Sequence, residues 1–352
     1  MSISRTNPMM AAAVVAAACF LAASPRVSRS DDSEPVPQNV ESAVDRGLAW
    51  LAKSQDPRGT WEGHAGVGGW AAASTGLATM AFMARGHTPG QGPYGDTLNH
   101  AIDAILALQQ PDGVIAEARQ GEVMYDHGIC TMALCEAYGM LDDARQARAR
   151  IAIGKAVRVI LNAQRVPKVG FDNGGWRYTP EYTTADMSVS GWQLLALRGA
   201  RNVGADLPRQ AIDDGIAFIK HHVAQGGGFS YTAGSGSNAA MTGTGILALS
   251  LLGEPDADEV KPAGDYLLRN FNNLRGEHYY YAAYYCAQAA WQLGGNYWTT
   301  LNRQITQDPD GLIQKQKVDG HWEGSEGGDV VCSSMAILAL TVPYRYLPIY
   351  QR

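Results

Sequence analysis

The chain has 352 residues, 46% hydrophobic and 18% charged, enough apolar material for a large buried core. A net charge of −6 and a pI near 5.7 give no electrostatic basis for binding nucleic acid. The 40 glycines gather in short turn phrases, not in collagen-like or low-complexity runs, which excludes fibrous and disordered classes.

The first thirty residues are a different material. Arg5 precedes the apolar run MMAAAVVAAACFLAA (9–23), and a polar, Pro-containing stretch follows. That is the layout of a secretory signal, and the run is too short to favour a membrane span, an uncleaved anchor being the alternative. Residues 1–30 are therefore expected to be a signal peptide, 31–38 a linker and 39–352 one domain. The mature chain is expected to be exported, periplasmic or extracellular, with no transmembrane helix.

Beyond the linker the pattern is helical. Val40, Val44, Leu48 and Leu51 form one stripe, and QDPRGTWEG (55–63) breaks it. The run WAAASTGLATMAFMARG (70–86) is then apolar almost all round. This order of amphipathic helix, turn and buried helix returns. Leu98, Ile102 and Ile105 lead through QQPDGVIAE to YDHGICTMALCEAYGM, and residues 151–164 lead through VPKVGFDNGGWRY to MSVSGWQLLALRGA. Residues 212–223 lead to MTGTGILALSLLG, and a less regular fifth unit carries HYYYAAYYCAQAAWQLGG. The last unit repeats the opening phrase as QKVDGHWEG (316–324) before VVCSSMAILALTV. The buried helices align at 75–82, 127–134, 190–197, 244–251 and 333–340.

About six hairpins result, and the fold class is all-α. A helix without a polar face must be covered on most sides, so the second helices form an inner layer. An open solenoid needs polar end caps, and neither end supplies one. Closure into an α/α-toroid, inner helices in a ring with outer helices around them, removes the problem and is the expectation, with an open solenoid as the alternative.

The phrase Q-x-x-x-G-x-W, followed by a small-residue inner helix, resembles the QW motif of squalene–hopene and oxidosqualene cyclases. That toroid is shared with the β subunits of protein prenyltransferases. The resemblance covers nearly all of the chain after about residue 40, though the full phrase occurs intact only twice. Its physical role is structural: Gln55 and Gln316 bond free backbone groups at helix ends, while Trp61 and Trp322 seal neighbouring hairpins.

In such a toroid, residues at the starts of the inner helices face one mouth of a central cavity. The candidates there are Asp126, His127, Asp186, Ser188, His278, Tyr279, Asp329 and Cys332. Asp126, His127, Asp186 and Asp329 are the catalytic candidates, and Tyr279, Tyr280 and Tyr284 in the aromatic run are the ligand contacts. The related cyclases begin with a DxDD acid motif. Here the corresponding stretches are DMSV (186–189) and DVVC (329–332), and neither Ser188 nor Val331 can protonate an alkene. Standard squalene cyclisation is therefore not expected. Prenyltransferases hold zinc on Asp, Cys and His, so the resemblance implies Asp329, Cys332 and His278 as zinc ligands, with D-x-x-C replacing D-x-C. In an exported chain Cys286 and Cys332 are also a candidate bridge between adjacent inner helices.

No HExxH, GxSxG, phosphate-binding loop, dinucleotide fingerprint or GCGEQ thioester occurs. The functional expectation is an exported toroid that binds or transforms a hydrophobic, isoprenoid-like ligand in its central cavity. Two alternatives stand beside it: a non-catalytic scaffold for a cell-surface protein, and a polysaccharide-active toroid enzyme.

Overall fold

A computed structural model of the chain describes residues 36–62, 71–118, 121–271, 278–325 and 327–351. The signal-like segment lies outside the described residues. Outer helices are α1 (Gln38–Ser54), α3 (Gly95–Ala107), α5 (Asp143–Arg165), α7 (Arg209–His221), α9 (Val260–Asn270) and α11 (Gly295–Thr306), the last extended by the short α12 (Leu312–Lys315). Inner helices are α2 (Ala71–Ala84), α4 (Val123–Ala137), α6 (Met187–Asn202), α8 (Ala239–Leu252), α10 (Tyr279–Leu293) and α13 (Gly328–Leu340). Among the described residues there is no extended strand, only isolated bridges that close turns, such as Gln109 with Ile115.

The division of labour comes from the side chains. On α1 the buried positions are Val40, Ala43, Val44, Gly47, Leu48 and Leu51, one stripe of a helix otherwise open to water. Every residue of α2 is buried. Around the ring, α2 packs on α4, α4 on α6, α6 on α8, α8 on α10, α10 on α13, and α13 back on α2. The expected closure is present.

The turn phrase works as a clamp. Gln55 Nε2 donates to its own turn at Gly59 O (3.1 Å) and to the next outer helix at Thr97 O (2.9 Å). Gln109 reaches Gly113 O and Ala152 O, Gln164 reaches Gly174 O and Ala211 O, and Gln316 reaches Gly320 O and Ala43 O. The indole N–H groups of Trp61, Trp176 and Trp322 donate to Leu51 O, Ile160 O and Leu312 O, carbonyls in the preceding helices. Gly59 and Gly320 have φ of +86° and +107°, and a Cβ on either would sit 2.5 Å from a carbonyl oxygen of the next outer helix. No other residue type fits there.

One further bond fixes the register of five of the inner helices. The backbone N–H of the turn residue donates to the inner helix, from Trp61 to Thr75, Trp176 to Ser190, Phe229 to Thr242 and Trp322 to Ser333. In the second repeat Ile115 donates to His127 Nδ1 at 3.0 Å. The fourth inner helix is thereby set by Thr242, not by Thr244 as the sequence alignment expected. The pair Thr-Gly occurs twice in succession there, and only the bond to Phe229 distinguishes them.

At the C-terminal ends of the inner helices the chain crosses the ring. Leu347, Ile349 and Tyr350 are buried, the Ile349 N–H donates to Glu136 Oε2 (3.0 Å), and the hydroxyls of Tyr350 and Tyr284 are hydrogen-bonded.

Candidate functional site

The four cysteines of the domain are buried and free. Cys286 and Cys332 are not bridged: Cys286 Sγ donates to Ala239 O on α8 at 3.3 Å, away from α13. Cys332 instead lies beside Gly324, whose added Cβ would meet its sulfur at 2.6 Å.

The N-terminal ends of α4, α6, α8 and α10 form a mouth. Asp186 caps α6, its Oδ1 accepting from Val189 N–H (2.9 Å) and from the Ser188 hydroxyl (2.8 Å). Its side chain is 0% exposed, and Oδ2 has no hydrogen bond within the protein, with Arg177 Nε 3.8 Å away. Burial raises the Asp186 pKa against the bonds from Val189 and Ser188, which favour the charged form. Ser188 also hydrogen-bonds the hydroxyl of Tyr125 on α4. From the loop after α7, Tyr231 shares a 2.7 Å hydroxyl–hydroxyl bond with Tyr178, and the Arg177 guanidinium lies 4.9 Å from the Tyr178 ring centre. Tyr178 packs near Tyr125 and, edge-on, against Tyr182. Glu122 at the start of α4 completes the group; burial raises its pKa, and the charge of Asp186 raises it further.

The result is one buried carboxyl with a hydroxyl partner on one oxygen, beside a cluster of tyrosines. Such a group can hold a polar head by hydrogen bonds and an apolar or ring-shaped body by aromatic contact.

Below the mouth, aromatic rings occupy the lumen. Trp192 on α6 stacks on Tyr284 on α10 (5.7 Å, 6° between planes) and meets Tyr285 edge-on at 5.5 Å. Helices α6 and α10 are separated in the ring by α8, so these contacts span its interior.

The sequence candidates divide accordingly. Asp186 and Ser188 reach the mouth. His127 is wholly buried and structural: Nδ1 accepts from Ile115, so Nε2 carries the proton and donates to Ala156 O on α5 (3.1 Å). Burial lowers its pKa to about 4. Asp126 Oδ1 accepts from Ala73 N–H at the start of α2 (2.9 Å), and burial raises its pKa to about 8. Asp329 accepts from Gly324 N–H (3.1 Å) and lies 3.8 Å from His321 Nε2. Tyr280 donates to Glu323 O, Tyr279 donates to Asp310 O, and Tyr284 belongs to the lumen stack. His278 is exposed ahead of α10. Among the described residues no three His, Cys, Asp or Glu side chains converge as a metal site, so Asp329, Cys332 and His278 are not assembled as zinc ligands.

Tyr125, Tyr178, Tyr231, Arg177 and Glu122 were not among the sequence candidates. Tyr125 was within reach of the repeat: it precedes His127 by two residues, as Ser188 precedes Ser190 and Tyr281 precedes Ala283.

Together, the ring and its clamps define an α/α-toroid. The model of the prenyltransferase alpha-alpha toroid domain matches residues 32–278, and the chain belongs to that family. No curated protein sequence matches the chain. Among solved structures it is similar to apo type II terpene cyclase MstE from Scytonema, with TM-score 0.58, 12% identity, 88% of this chain and 100% of that one covered. It is similar also to an alpha-amylase from Clostridium perfringens (TM-score 0.56, 10% identity, 88% and 99% covered) and to a wild-type glycosidase (TM-score 0.54, 13% identity, 88% and 98% covered). At these identities the likeness is one of fold.

Proposed function

We propose that the protein binds a hydrophobic, isoprenoid-like ligand at the mouth formed by Asp186, Ser188, Tyr125, Tyr178 and Tyr231, and that it is not a standard squalene cyclase. The observation that carries the reading is the buried Asp186 carboxyl, with Oδ1 hydrogen-bonded by Val189 and Ser188 and Oδ2 held only loosely, 3.8 Å from Arg177, beside a cluster of tyrosines. An apolar body packs on the rings, and a hydroxyl or similar head bonds Oδ2. The isoprenoid class is supported by membership of the prenyltransferase toroid family and by the terpene cyclase fold. Ser188 in place of an acid supports the exclusion of squalene chemistry. The signal-like first thirty residues support action outside the cytoplasm, which N-terminal sequencing of the mature protein tests.

The deciding experiment is mass spectrometry of organic extracts from the native protein and from Asp186→Asn and Tyr178→Ala variants. An isoprenoid-type molecule carried by the native protein and lost from both variants is expected. Extracts identical across the three proteins would leave the scaffold alternative, a module for a cell-surface protein partner, in its place.

One observation favours a second reading. The charge of the buried Asp186 acts on the more exposed Glu122, so two carboxyls stand near one another beside tyrosines, a combination used in glycoside hydrolysis. Release of reducing sugar from soluble glucans, abolished by Glu122→Gln, would select it over the first.

A further inference from the structure

Near the end of the described residues, the side chains of Leu347, Ile349 and Tyr350 lie inside the fold. After α13 the backbone turns at Arg345, the one non-glycine residue with positive φ (54°) among the described residues. A left-handed conformation costs a residue with a side chain about 1 kcal/mol, so the turn persists only because the residues after it are anchored. Both anchors are specific. Ile349 N–H donates to Glu136 on α4, and the Tyr350 hydroxyl bonds that of Tyr284 on α10. Helices α4 and α10 are not adjacent in the ring, and the segment bonds to both.

Tyr284 has two partners of different kinds. Its hydroxyl is held from below by Tyr350, and its ring lies flat on Trp192, which closes the lumen at mid-height. Beside the segment, a small recess with room for little more than a water molecule is lined by Ala84, Gln288, Leu338, Thr341, Arg345 and Tyr350.

We infer that residues 347–350 are a latch: seated, they hold Tyr284 against Trp192 and close the lumen below the mouth. Unseated, they free Tyr284 to turn away and let an apolar chain extend from the mouth into the ring. The inference rests on the proposed binding of an isoprenoid-like ligand at that mouth. Its own content is that ligand depth and latch seating exclude one another, so the two are negatively coupled.

The test uses the full chain and farnesol, an apolar chain with one hydroxyl, followed by tryptophan fluorescence and by amide hydrogen exchange. Farnesol is expected to raise exchange at the Ile349 and Tyr350 amides while the inner helices stay protected. Tyr350→Phe removes only the hydroxyl; loss of one buried hydrogen bond is expected to tighten farnesol binding roughly fivefold. Farnesol that binds with the Ile349 and Tyr350 amides still protected, or with unchanged affinity for Tyr350→Phe, overturns the latch and leaves the mouth site standing. Failure of farnesol to bind either protein overturns the latch together with the ligand class on which it rests.

Discussion

The side-chain amide of Gln316 donates to the backbone carbonyl of Ala43 at 2.7 Å, across a separation of 273 positions. The same glutamine accepts a hydrogen bond from Arg46 of α1 and donates to Gly320 O in its own turn. It is the seam of the ring. Replacing it removes a side-chain donor from two partly buried carbonyls. Gln316→Ala is expected to lower stability by about 1–3 kcal/mol in urea titration. An unchanged midpoint would mean that packing alone holds the seam.

Gly320→Ala should be worse. The substitution places a Cβ 2.5 Å from Arg46 O on a residue whose φ is +107°. Backbone strain and steric overlap add, and a loss of more than about 2 kcal/mol is expected. Gly253, also at positive φ but with open space around it, is the control: Gly253→Ala should suffer only the conformational part.

His127 predicts an acid limb. Burial lowers its folded pKa from 6.5 to about 4, so below pH 6.5 the unfolded chain takes up a proton that the folded chain refuses. The contribution is fully present above pH 6.5 and is lost as pH falls towards 4, roughly 3 kcal/mol in all. In His127→Thr the hydroxyl would take the Ile115 N–H as Thr75 takes that of Trp61, and the part of the acid loss between pH 6.5 and 4 should shrink. Thermal denaturation across that range and up to neutral pH reads it.

Glu136 predicts the opposite limb. Burial raises its pKa from 4.5 to about 8, so the folded state holds a proton that the unfolded state has released. Its contribution is present below pH 4.5 and is lost as pH rises through about 8. The groups facing it are Cys135, Tyr284 and Tyr350, none of them a cation. Glu136→Gln keeps an acceptor for Ile349 N–H without the ionisation. Relative to the parent protein it should gain stability as pH climbs from about 5 to about 9, and equal slopes for the two proteins would refute the assignment.

The ring was legible because it is written in local residues. Helical stripes mark the outer layer, and Gln, Gly and Trp at fixed spacing mark the clamps, whose partners are backbone groups that any sequence supplies. The mouth was legible only in part. Asp186 could be found as a cap residue before an apolar helix, but Tyr178 and Tyr231 come from two turns whose meeting depends on turn conformation. His127 was misplaced for a related reason: at its repeat position the other described turns bond Thr or Ser, and an imidazole in that role looks like chemistry. The terminal residues gave no sign at all, since Ile349 and Tyr350 belong to no repeat.

A ring sealed between α1 and the last turn has a consequence for how it can change. A stacked array lengthens or shortens by whole units, because its end face is free to receive another. Here α13 must meet α2, and the hairpin number is locked to the circumference that six inner helices enclose. Duplicating or losing one hairpin would leave a gap or a collision on closing, not a slightly different ring. Variation is thereby directed into the turns and the tail, the two places where this molecule departs most from its own repeat.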